Sequence, residues 1–400
     1  MERSDGLRAM RVLCPIVLVT ACILVTNVRS GAEGVAGNRA ARAVPTPTSP
    51  CAKSEVHLAP GTSVPHPKVT PTAVAGAAGV LWLLGTYTCS AGTSSVIMRS
   101  TDGGKSFVRV GSAPPSIDAL EFATSEDGYA YGDQGSDGAT SLYWTGDGGK
   151  VWHLSLAQFR EERPSAVVIM SRRVYVIVPK DCSGDGQCRA LDLASSVVTS
   201  DAWTATQLPL SSDEVNSEVG LAAFGQKVWV VVAGASANAL LLVSDDGGRS
   251  FESLPSRGMS GGLACYAMAT SATTLWGFCA TGSLGYAVRS TDGGRDFATL
   301  SGWNRGHRPA ANGGSILPLS NNEAIFQPNQ GIFWLTRDGG KHFSSVRFSS
   351  LWQSPNYGFS IAFASRTNWL VLGIRDPSGP NLMWRTTNGR SWQLVKSPKV

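Results

Sequence analysis

Charged side chains are scarce in this chain: Asp, Glu, Lys and Arg make up 16% of its 400 residues, against about 25% in an ordinary soluble domain. That shortage excludes a coiled coil, a charged disordered tail and a long-helix solenoid. The net charge of +5 is spread along the chain and partly spent at its N-terminus, so no basic patch marks a nucleic-acid surface. The five histidines, His57, His66, His153, His307 and His342, are dispersed. Without paired Cys-x-x-Cys beside them, no metal is expected. No phosphate loop or dinucleotide fingerprint appears, no nucleophile elbow is expected, and no cofactor is implied. What the chain has in excess is glycine, 45 residues, and tryptophan, 12. That combination reads as many short strands joined by tight turns.

The first 30 residues carry Arg3, Arg8 and Arg11 and then an apolar run from Val12 to Val28. The run is short for a spanning helix, so residues 1–30 are expected to be a signal peptide, with a signal anchor as the alternative. Val19-Thr20-Ala21-Cys22 resembles a bacterial lipobox, which makes lipidation at Cys22 a third possibility. Residues 31–70 turn to Ala, Pro, Thr and Ser, with prolines crowding the second half. Such a stretch cannot bury a core and is expected to be an extended linker between the envelope and a domain at 71–400.

That domain is repetitive. Ser100-Thr101-Asp102-Gly103-Gly104-Lys105-Ser106-Phe107 recurs as a pattern ending in Trp152, Phe251, Phe297 and Phe343, anchored by Asp102, Asp147, Asp246, Asp292 and Asp338. A shortened copy is anchored by Asn388 and ends in Trp392. Successive anchors lie 45, 99, 46, 46 and 50 residues apart, and Thr199 to Trp203 sits where the long gap should hold an eroded copy. Upstream of each anchor stand an apolar first strand and an aromatic-bearing second strand, best seen in Ile117 to Gly132. Trp82, Trp229, Trp276 and Trp369 are counterparts of Tyr129, with Tyr175 and Phe326 the weaker matches. Seven such units predict an all-β chain: a seven-bladed propeller of four-stranded antiparallel blades. Each motif should turn between third and fourth strands, the Asp accepting turn N–H groups and Gly supplying a backbone costly for other residues. One carboxylate and two glycines offer too few oxygens for calcium.

The motif Ser/Thr-x-Asp-x-Gly-x-x-Trp/Phe resembles the Asp box of sialidase-type BNR repeats, and the upstream pattern is more similar to propellers of the photosystem II assembly-factor type. The resemblance implies a structural role for Asp102, Asp147, Asp246, Asp292, Asp338 and Asn388. A sialidase also needs an arginine cluster opened by Arg-Ile-Pro, a Tyr–Glu pair and an acid. Thr72 to Ala78, where that first arginine belongs, has no charge, and Arg160 precedes Glu161. The chain therefore resembles a non-catalytic relative.

Cys14 and Cys22 fall in the export segment, leaving Cys51, Cys89, Cys182, Cys188, Cys265 and Cys279. Six thiols in an exported chain read as disulfides. Cys182 with Cys188 closes a tight loop, and Cys265 on a first strand lies beside Cys279. Cys51 is left for Cys89, stapling the linker to blade one. Cys89, Cys188 and Cys279 each stand 13 residues before their unit's anchor position, which places all three near the end of a second strand.

Function on a propeller usually sits where inner strands begin and loops converge. The residues expected there are Asp118 and Glu121 of blade two, Glu218 of blade four, Asn312 and Ser315 of blade six, and Tyr357 and Ser360 of blade seven. They suit binding of a protein or glycan by a monomer that meets the membrane only through its N-terminal segment. The other reading is that these side chains only bond across blade interfaces. Rival functions are a divergent glycoside hydrolase, for which Asp118, Glu121 and Glu218 would be the acids, and an assembly factor for a membrane complex.

Overall fold

The computed structural model describes residues 68–399, apart from the stretches 90–91, 116, 134–139, 156–165, 171, 183–187, 199, 201, 216–217, 234–238, 260–263, 282–283, 301–313, 329–332, 347–356, 366–367, 376–380 and 389–390. The expected signal segment and nearly all of the linker, residues 1–67, lie outside the described residues, as do Cys51 and Asn312.

Seven four-stranded antiparallel sheets follow one another, each from one contiguous stretch of chain. Their inner strands are Thr70–Ala77, Ala119–Phe122, Ala166–Met170, Glu218–Phe224, Ala264–Ala269, Gly314–Pro318 and Tyr357–Phe363. Each blade then steps outward to a strand of two to five residues, from Val108–Ser112 in blade one to His153–Leu154 in blade two. Such short outer strands leave little free edge for a second chain to pair with. The chain is thus the all-β seven-bladed propeller that its repeat predicts. One addition was not expected: Ser212–Val215, between blades three and four, forms a helical turn. The local sequence explains it, because Glu214 Oε2 accepts hydrogen bonds from both the amide and the hydroxyl of Ser211, as the Glu side chain does in one half of a capping box.

The hydrophobic core is divided by seam. Trp82, Leu84 and Ile97 of blade one pack with Leu120 and Phe122 of blade two, and equivalent clusters fill each seam around the ring. The aromatic of each second strand enters this layer. Trp82, Tyr129, Tyr175, Trp229 and Trp276 are fully buried, and Phe326 and Trp369 nearly so, which settles Tyr175 and Phe326 as members of the set. The aromatics also reach across. Trp82 Nε1 donates to Gly148 O of blade two at 3.0 Å and Trp229 Nε1 to Gly293 O of blade five at 2.9 Å. Trp276 Nε1 donates to Ser320 O of blade six and Tyr129 OH to Val198 O of blade three, both at 3.1 Å.

Among the described residues no strand is exchanged where the ends meet, and Lys68 and Lys399 form a single antiparallel bridge there. Blade seven completes itself with Gln393–Val395. The ring closes through a cluster joining Val74, Leu81 and Met98 to Ala362, Leu370 and Met383. Polar contacts line that seam from face to face: Val69 N to Pro398 O at 2.9 Å, Gly79 N to Ala364 O at 2.7 Å and Asn381 Nδ2 to Pro71 O at 2.6 Å.

Two disulfides are present among the described residues, Cys182–Cys188 and Cys265–Cys279. Cys265 and Cys279 are direct cross-strand partners, as expected. Cys89 is disulfide-bonded as well. One placement is corrected: Cys188 does not lie near the end of a second strand. That strand stops at Lys180, where Asp181 takes a left-handed φ of 52°, and Cys188 falls just ahead of the third strand, Ala190–Val197. Equal spacing from the anchor hid a longer connection in blade three.

Removing residues 387–400 takes away the outer strand of blade seven and the Val69–Pro398 contact together. The truncated chain should melt more than about 10 °C below the full one. Equal melting temperatures in calorimetry would show that closure does not depend on this strand.

Candidate functional site

The ring has two faces of different character. On one lie the turns between third and fourth strands. Asp102 Oδ1 accepts the hydroxyl of Ser100 at 2.8 Å and the amides of Lys105 and Ser106 at 2.9 and 3.0 Å, while Oδ2 accepts the Ser106 hydroxyl at 2.6 Å. The same net recurs at Asp147, Asp246, Asp292 and Asp338, and Asn388 Oδ1 accepts Ser391 N at 2.9 Å. Burial raises the carboxyl of Asp102, but the hydrogen bonds from Ser106, Ser100 and Lys105 outweigh it and hold the group at about 2. Asp338 stands at about 2 by the same balance, its donors being His342 and Thr336.

Both glycines of each full turn are left-handed, Gly293 and Gly294 with φ of 83° and 100°. A Cβ on Gly294 would lie 2.5 Å from Leu241 Cδ2 of the preceding blade. Glycine is therefore required twice over, for conformation and for approach. On this face Arg99 lies over Trp82 and donates to Ser125 O of blade two. Arg289 lies over Trp276 and donates to Asn321 O and Asn322 Oδ1 of blade six. The sequence reading missed these bridges, although an arginine three residues before the anchor was their visible signal.

On the opposite face the inner strands begin. Asp118 stands exposed immediately before blade two's inner strand, its amide donating to Tyr131 O at 3.1 Å. Glu218 and Tyr357 are the first residues of the inner strands of blades four and seven. Ser315 is the second residue of blade six's inner strand, and Ser360 lies midway along blade seven's, opposite Leu372. The outer strands of blades one to six end on this face, as does the strand that leads into the loop tied by Cys182–Cys188.

Glu121 does not open onto that mouth. It is 5% exposed, and its Oε1 accepts the amide of Ile169, on blade three's inner strand, at 3.1 Å. This is the cross-blade role that is the alternative for such acids. Burial pushes its carboxyl up to about 8, against a smaller downward pull from the Ile169 N–H. Tyr131 is buried beside it, its hydroxyl raised well above the ordinary value by burial and by the nearby charges of Glu121 and Asp118. Tyr131 was not among the residues expected here. Among the described residues no group of three or more His, Cys, Asp or Glu is placed to hold a metal ion. Gly258-Met259-Ser260-Gly261-Gly262 has Gly-x-Ser-x-Gly spacing, which the sequence reading passed over. It lies in the connection between blades four and five, Met259 is buried in the seam, and Ser260 lies outside the described residues. The strand-to-helix turn that a nucleophile elbow needs is not the setting of Gly258 and Met259.

The sequence matches no family model and no curated protein. Solved structures match in fold. YCF48 bound to D1 peptide aligns with a TM-score of 0.50 at 13% identity, over 82% of this chain and 99% of that one. The propeller domain of the trilobed protease from Pyrococcus furiosus, described as having an open velcro topology, aligns with a TM-score of 0.54 at 8% identity, over 82% and 98%. Uncomplexed acylaminoacyl peptidase from Pyrococcus horikoshii aligns with a TM-score of 0.55 at 9% identity, and this chain spans about half that protein, 53% of its length. At these identities the likeness is one of fold.

Two measurements test the turn face. The stability that Asp102 and Asp338 contribute is present above pH about 4 and lost as pH falls from there to about 2. Denaturant midpoints should drop across that window, and less so in Asp338→Asn, which keeps the Oδ1 acceptor that Asn388 uses. A flat acid profile would contradict the hydrogen-bond account. Gly294→Ala should cost about 2 kcal/mol or more, and a near-neutral result would mean that Leu241 yields freely.

Proposed function

We propose that this chain is a non-catalytic binding propeller that takes a segment of another protein on the face where its inner strands begin. The observation that carries the reading is the division of labour between the faces. On the turn face the anchor carboxylates are consumed by their own turns, and Arg99 and Arg289 by neighbouring blades. The other face offers an exposed acid, Asp118, and connections of unequal length, the usual setting for recognition on a rigid scaffold. YCF48, of the same fold, is described with a D1 peptide bound, and a peptide is the class of partner proposed here. In this reading the turns are Asp boxes of the BNR type, kept for architecture.

Residues 1–30 direct export, 31–70 form the tether and 71–400 the monomeric binding domain at the cell envelope. The disulfides Cys182–Cys188 and Cys265–Cys279 fit an oxidising compartment. Glu218, Tyr357, Ser315, Ser360 and Asn312 are the proposed contacts together with Asp118, while Glu121 supports the wall behind them.

Affinity capture from the envelope fraction should recover one stoichiometric protein partner. Glu218→Ala and Tyr357→Ala should weaken its binding about tenfold or more, with little change in melting temperature. Asp102→Ala should lower the melting temperature and spare binding. Capture of a glycan instead would replace the ligand class. Turnover of a fluorogenic glycoside that is lost in Glu218→Gln would overturn the non-catalytic reading.

A further inference from the structure

The seam between blades two and three combines three features. Its turn motif is eroded: the copy around Ser200 lacks the paired glycines, and Tyr129 OH bonds to Val198 O in place of an indole reaching a glycine carbonyl. Its inner strands are short, Ala119–Phe122 and Ala166–Met170. They pack on each other less closely than blade one's inner strand packs on those of blades two and seven, or blade four's on those of blades three and five, a looseness shared with the seam between blades six and seven. Thirdly, the gap is bridged by a buried acid, Glu121, whose Oε1 takes an Ile169 amide at the edge of the neighbouring sheet.

We infer that Glu121 is a proton-operated latch: its neutral carboxyl holds blades two and three together along the channel wall, and its ionisation opens that seam. The register explains why the charge has nowhere to go. Glu121 pairs with Tyr129 and Ala119 with Tyr131, so the acid shares its sheet face with two tyrosines directed into the seam cluster with Ile169, Val174 and Val176. The titratable and charged groups around it are Asp118 from its own strand's approach and Tyr129 and Tyr131 from the second strand. The blade-three elements of that cluster bring apolar side chains and Trp203. No cation faces it among these, and Asp118 and the tyrosines oppose a further negative charge.

An ionised Glu121 is tolerated once the seam admits water. Burial raises the closed-state carboxyl from its ordinary 4.5 to about 8. Linkage therefore drives opening as pH rises between those two values, with full closure favoured below the lower one.

Native-state hydrogen exchange at Ile169 tests this directly, because its amide is the one the latch holds. Hydroxide catalysis alone speeds any amide about tenfold per pH unit, and release of one proton on opening adds about another tenfold. Between pH 6 and 7 Ile169 should therefore accelerate about 100-fold. Gly79, whose amide crosses the seam between blades seven and one to Ala364 O, should accelerate only about tenfold. In Glu121→Gln, which keeps an Oε1 acceptor and cannot ionise, Ile169 should fall back to the tenfold slope. Equal slopes at Ile169 and Gly79 in the native protein overturn the latch, whether both are shallow or both steep, and so does a steep slope that survives in Glu121→Gln. If the Gln variant does not fold, the comparison of Ile169 with Gly79 in the native chain still decides.

Discussion

The aromatic that each second strand buries in the next seam is the interaction on which the ring depends, and at two seams its indole N–H also crosses to a glycine carbonyl. A turn buried between blades must find a donor for its inward carbonyl, since an unpaired buried acceptor costs about 1–3 kcal/mol. Gly148 O and Gly293 O find theirs in Trp82 and Trp229 of the preceding blade. The rest of the motif serves that contact. The serine or threonine hydroxyl holds the second glycine's amide, as Ser290 holds Gly294 at 2.9 Å, and the Asp ties the following amides. Two left-handed glycines then let the turn lie against the neighbouring sheet without a Cβ between them.

Departures from that arrangement track departures in the sequence. Tyr175 replaces the indole at the seam between blades three and four, and its buried hydroxyl finds no partner. A Cβ on Gly247 would lie 3.9 Å from it, yet no hydrogen bond forms. Phe326 has no polar atom to offer. Trp276 reaches Ser320 O, in the first turn of blade six, while Arg289 covers its ring and takes the adjoining loop. The seven seams share one design and are held by unequal means, which is the expected state of a repeat whose copies drift separately.

Architecture was legible because it is periodic. Five anchored turns and the aromatics upstream of them fix seven blades, and the antiparallel register alone sets Cys265 opposite Cys279. Cys188 was misplaced because a fixed offset from the anchor assumes that connections keep their length, and blade three's does not. Glu121 was harder still. A carboxylate on an inner strand faces either the channel or a seam according to the pleat and to how far the next strand stands off. Both are properties of two blades together, and neither is written in the local sequence. Asp118, three residues earlier, lies ahead of the strand pairing and is exposed. The arginines over Trp82 and Trp276 were visible as a pattern, but only a structure gives them acceptors in the next blade.

Closure by contiguous blades has a consequence for where such a ring yields. When a strand from one terminus completes the blade at the other, one seam is tied through the backbone and stands out. Here every blade is complete in itself, so no exchanged strand singles out one seam and the contacts within each seam rank them. The seam at the termini carries amide-to-carbonyl contacts and a cluster of large aliphatics. The seam between blades two and three carries a tyrosine hydroxyl, the Trp203 indole on Ser155 and one buried carboxyl. Where the ring yields is thus set by the chemistry of its seams and not by a strand exchanged between its ends.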